Sequence, residues 1–196
     1  MIISESFLDN NIINKSINTY RLDSANEVLI ENTSLYEEAV QRYDIFLSHS
    51  YLDRKRIISL VELINKAGYS VYVDWIDDNQ MDRSKVGVDT AQTLRERMES
   101  SLCLAYVATS NTTTSKWCLW ELGYADGSKD GRCCILPIME NAKSYKGQEY
   151  LGLYPYIDYV NYNNSTKYDF WMNDPKNAAC YVRLREWLRG TEPYIH

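Results

Sequence analysis

No stretch of this 196-residue sequence stays apolar for the roughly 20 residues that a membrane-spanning helix needs. The opening residues, MIISESFLDNN, lack the basic start and apolar run of a secretory signal. Histidine is nearly missing: there are His49 and His196, and neither stands near a cysteine pair. The cysteines (Cys103, Cys118, Cys133, Cys134 and Cys180) are odd in number and show no metal-ligand spacing. Neither a disulfide framework nor a metal site is therefore expected, and a reduced, cytoplasmic protein without a membrane partner fits. Basic residues are scattered along the chain, apart from the run Arg54, Lys55 and Arg56. Lys and Arg total 21 against 27 Asp and Glu, for a net charge of -6 and a pI of about 5.0. Nucleic acid is thus not expected as a partner, because neutralising phosphates takes grouped cations. A single pyrophosphate needs only a few placed donors and is not excluded.

What is present is an ordinary hydrophobic content of 45%, enough for one core. Residues 1–42 are polar and weakly periodic and read as an N-terminal extension, with a capping box at Ser34 and Glu37 opening a short helix. The pattern changes at Tyr43. YDIFLSH (43–49) is rich in β-formers, and Ser50 with Asp53 then opens a helix that ends at Gly68. YSVYVDW (69–75) reads as a second strand and residues 76–88 as a wet loop. Asp89 with Gln92 caps the next helix. LCLAYVA (102–108) and CCILPIM (133–139) are apolar throughout, as strands buried on both faces are. A helix runs between them from about Lys116 to Gly127. A short strand is expected at 156–160, and Asp174–Pro175 reads as the start of a last helix ending at Gly190. Residues 191–196 form a tail.

Strands alternating with helices in this way imply an α/β fold: a flavodoxin-like wound parallel sheet with helices on both faces. Ligands of such sheets bind beyond the carboxyl ends of the strands, here after Ser48, Trp75 and Ala108.

Three segments, in order and at the right spacing, resemble the Toll/interleukin-1 receptor (TIR) domain family. They are YDIFLSHS, VYVDW with the polar loop after it, and SKWCLWEL (115–122). The resemblance covers roughly residues 43–190, set down as the TIR domain proper. It implies NAD+-cleaving activity, with Glu121, four residues after Trp117, as the catalytic carboxylate. It further implies substrate contacts from Phe46, Ser48, His49, Ser50, Asp74, Trp75 and Trp117. NAD would be the substrate rather than a cofactor, and no metal would be needed. Ser50 stands where a basic residue can occur in relatives.

The chemistry suits one carboxylate. Nicotinamide leaves NAD+ carrying no need for a proton, so the difficult species is the oxocarbenium-like ribose, which a fixed negative charge stabilises. The plain reading of each residue stands beside this. A helix glutamate is ordinarily a solvated surface group, and tryptophans more often fill cores than hold ligands. Asp74 either bonds a ligand or caps the following loop. His49 reads as a packing and hydrogen-bonding residue before a general base, and Arg54, Lys55 and Arg56 as a solvated helix face.

By the resemblance the chain would be a bacterial NAD+ nucleosidase or ADP-ribosyl cyclase of the Thoeris antiphage kind. Its product would act on a separate effector protein, and it would self-associate through the TIR domain. A non-catalytic TIR adaptor is the alternative, in which Glu121 is dispensable. A deoxyribosyltransferase is not supported by WCLWEL, nor a phosphoacceptor receiver by a strand ending in Ser-His-Ser. Removing residues 1–34 is expected to leave the fold intact but to change assembly or activation.

Overall fold

The runs at 43–48, 101–108 and 133–139 are separated by helical segments long enough for the crossovers that parallel strands need. A computed structural model describes residues 2–16, 42–78, 87–140, 149–161 and 168–196. Its strands are β1 (Ile3–Ser4), β2 (Tyr43–Ser48), β3 (Val71–Tyr72), β4 (Ser101–Ala108), β5 (Cys133–Met139), β6 (Tyr156–Asn161), β7 (Tyr168–Asn173), β8 (Cys180–Arg183) and β9 (Tyr194–Ile195). Its α-helices are α1 (Glu5–Ser16), α2 (Arg54–Lys66), α3 (Asp74–Asp77), α4 (Val88–Glu99), α5 (Lys116–Ser128) and α6 (Leu184–Trp187). Among the described residues none of the helices is long and apolar enough to cross a membrane.

The sheet runs β3-β2-β4-β5-β6-β7-β8-β9, with β1 also beside β5. The pairs from β3 to β6 are parallel, and β6 to β9 form an antiparallel meander. On one face Ile45, Leu47, Ala105, Val107 and Leu136 pack with Ile57, Leu60 and Ile64 of α2. On the other, Phe46, Leu104, Tyr106 and Ile135 pack with Leu94 and Met98 of α4 and with Cys118, Leu122 and Ala125 of α5. The wound parallel sheet with helices on both faces is therefore present as read. All five cysteines are buried free thiols, and burial pushes the Cys133 thiol up to about 12.

Several local expectations are corrected. Residues 69–75 do not form one long strand: β3 holds two residues, and the chain enters α3 at Asp74. The Asp77 carboxylate accepts the Val73 N–H at 2.7 Å, closing this turn. Asp89 does not cap α4; Gly87 occupies that position and Asp89 lies in the first turn. The last helix shrinks to α6, with turns and β8 in its place over 174–183. Asp174 Oδ1 accepts from the Lys176 N–H (2.7 Å) and Asn177 Oδ1 from the Ala179 N–H (3.1 Å), two local turns that compete with helix. They reverse β7 into β8 and leave α6 four residues long. The tail is not loose either, since Tyr194–Ile195 pairs with Cys180–Tyr181.

The largest correction concerns the N-terminus. Residues 3–4 pair parallel with Ile138–Met139, and Ile2, Ile3 and Leu8 are buried in the core. Arg56 is not a solvated residue of α2, because it grips Asp9 with two bonds (3.0 and 3.1 Å) and Glu5 at 2.9 Å. Residues 2–16 therefore belong to the sheet domain rather than to an extension. The expected helix at 35–42 lies, but for Arg42, outside the described residues.

Candidate functional site

Glu121 is held between two ends of the fold. Ser115 caps α5, its hydroxyl accepting from the Cys118 N–H at 3.4 Å, and this sets the phase of the helix. Cys118, Leu122 and Ala125 then form the buried stripe, and Glu121 falls beside them at 0% exposure. At the carboxyl end of β2 the equally buried Ser48 donates its hydroxyl proton to Glu121 Oε2 at 2.6 Å. A buried carboxylate is costly unless bonded, and a short bond of this charge-assisted kind is among the strong ones. Ser48→Ala is accordingly expected to cost about 2 kcal/mol, or roughly 4–8 °C in Tm, by thermal denaturation. An unchanged Tm would mean the bond adds nothing net.

His49, next along the chain, turns to the other side. Its Nδ1 lies 2.8 Å from the Leu47 carbonyl oxygen, and Trp75 Nε1 donates to its Nε2 at 2.8 Å. A ring accepting at Nε2 carries its proton on Nδ1, so this arrangement is the neutral tautomer donating to Leu47. Asp74 is buried with Oδ1 at 3.7 Å from the same Nε2, beyond hydrogen-bond reach. Ser50 caps the Tyr51–Asp53 turn by accepting from the Leu52 N–H at 3.3 Å.

The structure thus gathers Ser48 with Glu121, and His49 with Trp75 and Asp74, at the carboxyl edge of β2 and β3. Phe46 lies deeper, in the core, with its ring stacked on Tyr72 at 5.0 Å. Trp117, in the first turn of α5, meets Trp120 edge-on at 5.5 Å; Trp120 in turn stacks on Tyr124 at 5.8 Å, with the Arg95 guanidinium 5.4 Å from the Trp120 ring centre.

The start of the 76–88 segment is not simply wet. Tyr43 donates to Asp77 at 3.1 Å, while Tyr72 (2.8 Å) and an Arg97 fork (2.9 and 3.0 Å) hold Asp78. Burial raises the Asp77 carboxyl above its usual range. Burial works the same way on Asp78, but its bonds to Arg97 and Tyr72 outweigh it and leave that carboxyl below the usual range. Residues 79–86 lie outside the described residues.

Sequence reasoning missed one cluster. Asp53 is buried and bonds Thr109 and Asn111 from the segment after β4. Asp53 is read from the sequence only as a partner in capping, and no spacing rule links it to residues more than fifty positions away.

The sequence pattern of the family described as TIR domain matches residues 45–171. This chain belongs to the TIR domain family. The chain is 42% identical over 191 residues to a Bacillus cereus (strain MSX-D12) protein named "Probable 3′ cyclic ADP-D-ribose synthase ThsB′", covering 93% of this chain and 97% of that one. It is 35% identical over 97 residues to a Cytobacillus dafuensis protein named "Putative cyclic ADP-D-ribose synthase TIR2", covering 49% of this chain and 25% of that one. Among solved structures, the TIR domain of the Toll-related receptor TRR-2 from Hydra magnipapillata is similar at a TM-score of 0.39 and 19% identity. That match covers 53% of this chain and 74% of that one.

Proposed function

We propose that this TIR domain cleaves the nicotinamide N-glycosidic bond of NAD+ and closes the ADP-ribose into a cyclic signal nucleotide in bacterial antiphage defence. The observation that carries the reading is Glu121, a carboxylate with no exposed surface, bonded by Ser48 at the carboxyl edge of a parallel sheet. Such a group is a poor surface solubiliser and a good fixed charge, because low local dielectric strengthens its effect on a developing cation. The similarity to ThsB′ along nearly its whole length supports cyclic ADP-ribose as the product class.

In this reading Glu121 faces the ribose and stabilises its oxocarbenium character, while Ser48 aims the carboxylate. Water is kept from the ribose carbon so that a nucleophile of the same molecule captures it. His49, clamped at both nitrogens, holds Trp75 and does not move a proton. Ser50, Asp74 and Trp117 line the approach, and Phe46 supports Ser48 from beneath. Contact between Glu121 and substrate requires the groups that cover it to part, which suits an enzyme that waits for a trigger. NAD+ is the substrate and no cofactor is involved. The protein acts in the cytoplasm, associates with copies of itself, and hands its product to a separate effector.

The test is to incubate purified protein with NAD+, alone and with phage-infected lysate, and to follow nicotinamide by chromatography and the nucleotide by mass spectrometry. Release of nicotinamide with a cyclic product is the expected result. No release under any of these conditions would instead favour the adaptor.

A further inference from the structure

Asp53 stands immediately before α2, where an aspartate ordinarily turns its carboxylate onto the amides of its own helix. It makes no such bond, although it is only 3% exposed. Both oxygens cross to the segment that follows β4. Thr109 Oγ1 donates to Oδ2 at 2.6 Å, and Asn111 Nδ2 donates to Oδ1 at 2.7 Å. Thr109 Oγ1 in turn accepts from the N–H groups of Asn111 (3.1 Å) and Thr112 (3.2 Å). Thr112 Oγ1 donates to the Val107 carbonyl at 2.6 Å, so the knot is tied back to β4 itself.

This knot lies directly upstream of Glu121. From Asn111 the chain runs through the Thr112–Thr114 turn to Ser115, which caps α5, and α5 carries Glu121. The end of β2 thus reaches α5 by two routes, directly from Ser48 to Glu121 and indirectly from Asp53 through the loop. A one-ångström shift of the loop would pass along a rigid helix to the carboxylate, and misplacement of that size is enough to cost a reaction dearly.

We propose that Asp53 is a positioning residue for the NAD+ reaction. By clamping the loop after β4 to the turn after β2 it fixes where α5 begins, and so where the Glu121 carboxylate stands. The inference rests on the role given to Glu121 above. Asp53 touches no reacting atom and works as an acceptor for two donors. Its amide analogue presents a donor to one of them and breaks the clamp on that side.

Three variants test this: Asp53→Asn, Asn111→Asp, and the two together, in which amide and carboxylate change places and the cross-loop bond can re-form with its direction reversed. Each is assayed well below its melting temperature for kcat and KM, and by hydrogen exchange at the first-turn amides of α5, Cys118 among them. Asp53→Asn is expected to lower kcat about 10- to 100-fold, to leave KM within about two-fold, and to speed that exchange. The double variant is expected to recover most of both losses. Wild-type kcat in Asp53→Asn, or a double variant no better than the single one, overturns the proposal. If Asp53→Asn does not fold, Asn111→Ala takes its place, with a smaller loss in kcat and faster exchange expected, and no change in either overturning it. If the wild type releases no nicotinamide, the functional reading fails by itself, and the exchange measurement still decides whether Asp53 sets the start of α5.

Discussion

Glu121→Gln is expected to cut nicotinamide release by about 10²–10³-fold while the protein stays folded. Glutamine has nearly the volume of glutamate, and its carbonyl oxygen can still accept the Ser48 proton that now goes to Oε2 at 2.6 Å. The packing of Cys118, Leu122 and Ala125 around it is untouched. What disappears is the negative charge. Because nicotinamide leaves without needing a proton, that charge is the main help the residue can give, and its loss should appear in kcat. Chromatography of nicotinamide beside a thermal melt separates the chemical from the structural effect. Near wild-type turnover would remove Glu121 from the chemistry and leave membership of the family unaffected.

Leu8→Ala is expected to destabilise the protein by about 2–5 kcal/mol, the usual range for a fully buried leucine. Leu8 is 0% exposed and belongs to the same apolar cluster as Ile3, Ile57, Leu60 and Ile138. Removing residues 1–16 altogether should do more. It strips the β1 ladder from Ile138 and Met139, uncovers α2, and leaves Arg56 without Asp9 and Glu5. Soluble, cooperative folding of that deletion with unchanged stability in urea would contradict the packing. The expectation that residues 1–34 could be dropped without harm to the fold is reversed by these contacts.

How much was legible in the sequence follows from where burial is complete. β5 and, past the exposed Leu102, most of β4 are covered on both faces, so their apolar runs are unbroken, and 133–139 is recovered to the residue while 102–108 misses only Ser101. The edge strand β3 has one neighbour, and an aspartate that binds the Val73 amide shortens it; no periodicity reveals that. The strand expected at 156–160 is β6, but its partner β7 went unread, because its buried positions mix polar Asp169 and Asn173 with aromatic rings. Ile2, Ile3 and Leu8 look like stray apolar residues in a polar segment until the sheet gives them a partner. At the candidate site, family resemblance names Glu121 and Ser48, but their mutual bond is a tertiary fact. The Asp53 clamp spans positions that no local pattern connects.

One consequence of the β1–β5 pairing concerns time rather than space. Whatever precedes it in the chain, Ile3 is synthesised long before its partner Ile138 exists. Until β5 emerges from the ribosome, the apolar side chains of Ile2, Ile3 and Leu8 have no completed core to enter. Contacts that join such distant positions slow folding and lengthen the life of incomplete states that expose apolar surface. Assembly of this fold therefore cannot close before the fifth strand arrives.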